Sequence, residues 1–545
     1  MSQAAEFFSK IKKEKESGNF KSLSSIIDNV LQAENDANPS PSGKKRTTYH
    51  IAVQGCCHGE LRRIYENCRQ HELSTGKTID LLLCCGDFQS IRGVENLDSM
   101  AVPEKHKRMG DFHYYYHSNS QTPREVGERR NRQLAPYLTV FIGGNHEDSD
   151  LLAEESYGGF VAPNIYYLGH SGVIQVRKLN GGGGGLVIAG LSGIYKEPDY
   201  LKPYPPRPYA NDEHHKRSAY HVRAIEVEKL RSFGVWATTE RLEQERRSRA
   251  QEEKGEEEPH DARVHLFLSH DWPVGITAYG NEAQLIRYKP YFAEDIKRGE
   301  LGNKRTFALM RLFQPEWWFA AHLHCRFQAT VQHDEDIHTG DRKTKFVALD
   351  KCTRDRGCGD FLDFIDVQVD DSDGEETTRG HHSTSYNTTD TILQRHPVWL
   401  RILKDAHPLV ANNNVREFNV NNAFQETAVT TADGSDPTAA LTRAMDAPNT
   451  FELLEALRLP PRCHCKMCFT DRRSHRVIPA SAASPIPPLP SSLAAQRRPD
   501  RPPPSRQKTT REDDVEEEKD RRKELGTKWQ SRSAGLVLCC LLCDY

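Results

Sequence analysis

Long apolar runs are missing from this 545-residue chain. The longest, "AGLVLCCLLC" at Ala534–Cys543, falls far short of the roughly 20 residues a membrane-spanning helix needs. The opening "MSQAAEFFSKIKKEKESGNF" carries too much charge for a secretory leader. A disulfide framework is missing too. Fourteen cysteines in 545 residues fall in short clusters (56/57, 84/85, 352/358, 463/465/468, 539/540/543), with Cys68 and Cys325 alone. Charge of one sign is also lacking, since the formal net charge is −3. No global basic field marks a nucleic-acid binder, so any anionic substrate must be held by a local patch or by metal. These absences predict a soluble, intracellular, reduced protein with no membrane contact.

What is present is material for a large core: 37% of the residues are hydrophobic, 28% charged and 8% aromatic. Residues 1–46 read as a helical or disordered extension ending in "PSPSGKKR". From 47 to 350, short apolar runs recur: "YHIAVQG", "TIDLLLCCG", "YLTVFIGG", "GLVIAGLSG", "VHLFLSH", "WWFAAHLH" and "KFVALD". Each suits a buried strand. Helical patterns lie between some of them; in "ELRRIYENCRQHEL", Leu61, Ile64, Tyr65 and Cys68 share one face. Strands interleaved with helices argue for a layered α/β domain. Polar or glycine-rich insertions are expected at 117–133 and 180–185, and a solvated charge run at 238–260. A smaller region, 351–460, includes "TILQRHPVWLRILKDAHPLV", which reads as helical. The tail, 461–545, has a disorder-like composition.

Several predicted strands end in a residue suited to binding a cation. Cys56 and His58 follow "IAVQG", Asp87 follows "LLLCCG", and Asn145 and His146 follow "TVFIGG". His270 follows "HLFLS", and His322 and His324 follow "WWFAA". In α/β folds, ligands collect beyond the carboxyl ends of strands, where the loops converge. A single histidine at a strand end is ordinary; five exits in series, each offering a ligand, point to one site. A carboxylate such as Asp87 can bridge two cations, and imidazoles and an amide oxygen fill the other positions without overcharging it. Paired cations clamp the attacking and leaving oxygens at phosphorus and acidify water, so phosphoester hydrolysis is the chemistry suggested.

The series "GCCHGEL", "GDF", "GGNHE", "SHDWP" and "AHLH" resembles the calcineurin-like metallophosphoesterases. Two departures from that pattern stand out: Cys56 where aspartate is usual, and Ala321 in place of glycine. With the longer strings "GCCHGELRRIY", "LLLCCGDFQ", "MAVPEKH", "YGGFVAPNIYYLG", "SAYHVR" and "KTKFVALDKC", they make the chain similar to the RNA-lariat-debranching subfamily over about 48–360, more weakly to about 460.

The resemblance implies a layered β-sandwich flanked by helices, with 47–350 the catalytic domain and 351–460 the subfamily's C-terminal domain. It implies one divalent ion on Cys56, His58, Asp87 and His324, and a second on Asp87, Asn145, His270 and His322. A thiolate at Cys56 favours Zn or Fe(II), with Mn a further candidate, over Mg. His146 is the implied general acid, protonating the leaving oxygen or stabilising the phosphoryl charge. Cys57, Cys84 and Cys85 are expected to be core packing.

Substrate choice needs other residues. Between Gly193 and Arg223, tyrosines alternate with basic groups, a composition that stacks unpaired bases and meets phosphates. Tyr195, Lys196, Tyr220 and Arg223 are the candidates there. By analogy the reaction is hydrolysis of the 2′–5′ phosphodiester of branched intron lariat RNA, in the nucleus. Protein partners are not legible. Hydrolysis of another phosphoester, or an inactive scaffold of the same fold, are the alternatives. "CHCKMC", Cys463 to Cys468, lacks the four well-spaced ligands of a structural zinc site, and its flanks look disordered.

Overall fold

Alternation accounts for the apolar runs. The computed structural model describes residues 46–116, 133–178, 185–251, 263–333, 342–370, 391–418, 443–457 and 459. In it, β1 (Arg46–Gln54) sends Tyr49, Ile51 and Val53 to one face and Ala52 to the other. β2 (Leu81–Cys84) sends Leu81 and Leu83 one way, Leu82 and Cys84 the other. Both faces are covered, so each strand reads as an unbroken apolar stretch.

The chain continues through β3 (Thr139–Phe141), β4 (Gly159–Ala162), β5 (Ile165–Tyr167), β6 (Ser171–Lys178) and β7 (Leu186–Leu191). There follow β8 (Leu266–Ser269), β9 (Trp317–Ala320), β10 (Phe327–Gln332), β11 (Lys343–Ala348), β12 (Leu362–Asp370) and β13 (Thr391–Arg395). One sheet has the order β12-β1-β2-β3-β5-β4, the other β10-β11-β9-β8-β7-β6-β13. Their inner faces share a core: Ile51, Leu83 and Val140 from the first meet Ile188, Leu268 and Phe319 from the second.

Helices cover the outer faces. α1 (Leu61–Thr75) lays Leu61, Ile64, Tyr65 and Cys68 on the first sheet, as their spacing requires. It stops at Gly76, whose left-handed φ of 72° lets its N–H close on the Glu72 carbonyl. α2 (Ala224–Gln251), α3 (Thr306–Phe313) and α4 (Pro397–Val410) cover the second sheet, with Phe233, Phe313 and Trp399 among their buried contacts. The architecture is a mixed α/β sandwich of two sheets between helices.

Residues beyond 350 complete both sheets. β12 pairs antiparallel along the whole of β1, and β13 pairs antiparallel with β6. "TILQRHPVWLRILKDAHPLV" is therefore a strand first, then a helix: Thr391–Arg395 adds an edge, His396 caps, and Pro397 opens α4. The charge run from 238 continues α2 as far as Gln251. The extension 1–45, the glycine run at 179–184 and the tail with its "CHCKMC" lie outside the described residues. Among the described residues no helix is long and apolar enough to cross a membrane.

The topology positions the site. β1, β2 and β3 run parallel, as do β7, β8, β9 and β11. Parallel neighbours present their carboxyl ends on one edge, so the loops that leave them converge.

Candidate metal centre

Four side chains from three loops meet at that edge. One ligand atom each from Cys56, His58, Asp87 and His324 lies within 4.8 Å of all the others. Their backbones are strained. His58 (φ 47°), Asp87 (47°), His322 (62°) and His324 (48°) all occupy the left-handed region, which non-glycine residues rarely visit. Such conformations cost roughly 1–3 kcal/mol each and persist where the surroundings hold them, typically at functional sites.

Two glycines leave the room. A side chain at Gly86 would place its Cβ 2.2 Å from His270 Nδ1, and one at Gly144 would come within 2.1 Å of Asp87 Oδ1. The glycines of "CCGD" and "GGNH" are thus demanded by close approach.

Asp87 sits at the middle, fully buried. Its Oδ1 accepts the backbone N–H groups of Asn145 and His146, both at 2.9 Å. Its Oδ2 accepts no hydrogen bond and instead faces His58 Nε2 at 3.6 Å and His146 Nδ1 at 3.5 Å. On the other side His270 Nε2 stands 3.4 Å from Oδ1 and 3.2 Å from Asn145 Oδ1. His270 Nδ1 lies 2.7 Å from the Cys85 carbonyl, which can only accept, so Nδ1 carries the proton and Nε2 presents a lone pair. His58 and His324 face each other through their Nε2 atoms at 3.3 Å.

This donor set fits divalent cations. Imidazole nitrogens, a thiol and a buried carboxylate oxygen without a hydrogen bond converge there. Burial pushes His58 down to about 3 and His324 well below the usual histidine range, so both rings are neutral, as ligands must be. Burial raises Asp87, but its neighbours outweigh it, the backbone N–H of His146 among them, and the carboxyl lies well below its ordinary range. Burial and the Asp87 charge push the Cys56 thiol well up, so the thiolate is favoured only beside a cation.

Of the sequence candidates, Cys56, His58, Asp87 and His324 thus form one cluster, while Asn145 and His270 approach Asp87 from the far side. His322 joins them less directly. Its ring centroid lies 5.0 Å from that of His270, and its backbone N–H donates to Cys56 Sγ at 3.2 Å. His146 is at the rim beside His58, with ring centroids 5.5 Å apart. Cys57, Cys84 and Cys85 are fully buried in the core.

The 193–223 segment is tied to the same edge. Gly193 N–H donates to the Gly143 carbonyl at 2.8 Å, and Tyr195 N–H to Asp271 Oδ2 at 3.2 Å. Tyr195 and Tyr220 are half-buried and Lys196 is exposed. Tyr220 lines a cleft beside Gly143 and Gly144. Arg223 is a correction: expected to meet phosphate, it is fully buried. Its guanidinium donates to the His221 carbonyl (2.8 Å) and to the Ser218 carbonyl and Oγ (3.0 and 2.8 Å), beneath the Tyr204 ring. It holds the segment's shape because those buried carbonyls need donors. A buried Asp199–His221 contact of 2.6 Å pins the same segment.

Sequence reasoning quoted the strings that hold three further residues without giving them roles. Glu147, in "GGNHE", accepts the N–H groups of Phe88, Gln89 and Gly144 at 2.8–2.9 Å, binding the Asp87 loop to the Asn145 loop. Gln89 reaches His58 Nδ1 at 3.5 Å. Lys351, in "KTKFVALDKC", bridges to Cys56 through the backbone, and its charge lowers both His58 and His324. The signal was their place within the motif strings.

Residues 49–326 match the family model for calcineurin-like phosphoesterases, and residues 341–462 the model for the C-terminal domain of lariat debranching enzyme. The lariat debranching enzyme of Drosophila melanogaster is 41% identical over 357 residues, covering 59% of this chain and 57% of that protein. Lariat debranching enzyme A of Xenopus laevis is 42% identical over 326 residues (60% and 51%), and the human lariat debranching enzyme 42% over 323 residues (59% and 50%). The chain therefore spans little more than half the length of the relatives it matches.

Proposed function

Because the chain belongs to the calcineurin-like phosphoesterase family, a fold that works with divalent metal ions, we propose that it is a phosphodiesterase that debranches intron lariat RNA. The bond hydrolysed is the 2′–5′ phosphodiester at the branch point. One observation carries the hydrolytic half of this reading: Cys56, His58, Asp87 and His324 meet within 4.8 Å at the edge where Asn145, His146 and His270 also arrive. The RNA half is supported by the names of the relatives, the match over 341–462 and the tyrosine-rich segment held beside the site.

Two ions suit the residues present, one on Cys56, His58, Asp87 and His324, the other on Asp87, Asn145, His270 and His322. The sulfur ligand favours Fe(II) or Zn, with Mn a harder alternative. When bound, such ions supply Lewis acidity at the phosphoryl oxygens and a water acidified towards neutral pH. The remaining work falls to the chain. Asp87, deprotonated and fixed by two backbone N–H groups, orients both halves of the site. His146, at the rim, is placed to give a proton to the departing 2′-oxygen. Gly86 and Gly144 leave room for His270 and Asp87 to approach the neighbouring loops closely. In this reading Tyr195, Lys196 and Tyr220, on the segment tied to the same edge, meet unpaired nucleotides. Action in the nucleus follows from this reading, since introns are excised there.

The test compares a 2′–5′ branched oligonucleotide with linear RNA and p-nitrophenyl phosphate, alongside elemental analysis of the purified protein. Cleavage of the branched substrate in preference, with bound divalent metal, supports debranching. Equal or better hydrolysis of the others would assign a different phosphoester. A metal-free protein inert on all three would make it a scaffold.

A further inference from the structure

Tyr288 is out of place. Large aromatic rings are usually covered, yet this one is 55% exposed. It ends the short helix Glu282–Tyr288 within "IRYKPYF", a second stretch in which aromatic and basic residues alternate, well apart from the 193–223 segment.

Contacts connect that ring to the metal centre. Cys56 bridges to Lys351 through the backbone. The neighbouring Asp350 holds Arg356 Nε at 3.2 Å, and Arg356 Nη1 donates to the Tyr288 hydroxyl at 3.1 Å. Lys289, only 7% exposed, packs its Nζ 5.7 Å from the Tyr288 ring centroid and 5.8 Å from that of Tyr291, which steadies the ring from inside. Thus Lys351 and Arg356 connect the Cys56 loop to an exposed ring held by a guanidinium. The 193–223 segment instead joins the site through Gly143, next to Asn145.

A branched nucleotide needs more than one such approach. Three phosphodiester links radiate from it, so at least one strand must leave the site away from the 193–223 segment. Unpaired bases stack on aromatic faces, and Lys or Arg meets the phosphates between them.

We propose that Tyr288, with Lys351 and Arg356, forms a second RNA-binding face that carries one strand of the branched substrate away from the metal centre. This rests on the debranching reading. A base stacks on the Tyr288 ring while the cations, set between ring and centre, neutralise the intervening backbone. The face discriminates by strand length rather than by sequence, since every base has a stackable surface.

The experiment uses the full chain and branched oligonucleotides with a minimal branch core, extended along one strand at a time. For the wild type, extension of one particular strand should lower KM. Tyr288→Ala should abolish that advantage, raising KM on the extended substrate by about fivefold or more with kcat little changed, the loss expected of one stacked base. Tyr288→Phe keeps the ring and should retain the advantage. The ring is exposed, so the thermal midpoint should not move. Unchanged length dependence in Tyr288→Ala, or a defect equally large on the minimal core, overturns the proposal while leaving debranching intact. A wild type that spares every branched substrate but hydrolyses p-nitrophenyl phosphate refutes the debranching reading, and the proposal with it.

Discussion

Asp87 shows how one residue's roles are divided between backbone and side chain. Its Oδ1 is held by two N–H groups, while Oδ2 faces only imidazole nitrogens at 3.5 Å or more. The N–H of His146 survives replacement of its ring, so the two functions of that residue can be separated. His146→Ala should keep Asp87 in place and bind metal as wild type does, yet lose turnover about 10²- to 10⁴-fold, the usual worth of a positioned proton donor. Elemental analysis beside single-turnover cleavage would show it. Metal loss in parallel with activity would make His146 a structural support instead. The motifs exposed these residues in sequence because a ligand must sit at a strand exit. Arg223 was misread there, since alternation of tyrosine and arginine describes composition and carries no information on which cations are buried.

Elements differ in how openly their ends are written. α1 was visible through its 61/64/65/68 stripe, whereas β13 was read as part of a helix. Its five residues gain their register only from β6. The join between β13 and α4 is His396, whose side chain accepts the Val398 N–H. Burial, with a smaller contribution from the Arg177 charge, pushes this histidine down to about 4. The unfolded chain takes up the proton near 6.5, the folded one only near 4. Stability from this group is therefore complete above the first value and is lost as the pH falls towards the second. Protonation would also remove the cap acceptor. His396→Asn retains an acceptor without titrating, so its thermal midpoint should fall less than the wild type's between about pH 7.5 and about pH 5. Parallel falls would mean the acid sensitivity lies in other groups.

At the scale of the molecule, β12, β13 and α4 are part of the same body as the metal centre. β12 lines the edge of β1, whose end carries Cys56, and α4 seals the second sheet. Trp399, 1% exposed, packs against Phe233 of α2 and shares its core with Val187 and Phe267 of that sheet. Trp399→Ala should cost about 3–5 kcal/mol and lower the whole unfolding transition, read by denaturant titration with fluorescence and enzymatic probes together. A two-step curve in which activity persists past the first step would show the C-terminal elements to be an independent unit.

The runs that form β1, β2, β3, β7, β8, β9 and β11, and the residue types at their exits that suggest hydrolytic chemistry, could be read from residue type and spacing, because these depend on neighbours along the chain. Pairing of β12 with β1 and of β13 with β6, burial of Arg223, the lone Asp87 Oδ2 and the path from Cys56 to Tyr288 depend on contacts between residues far apart in the chain. Such contacts exist only after two sheets have closed on a common core, and no local pattern encodes them.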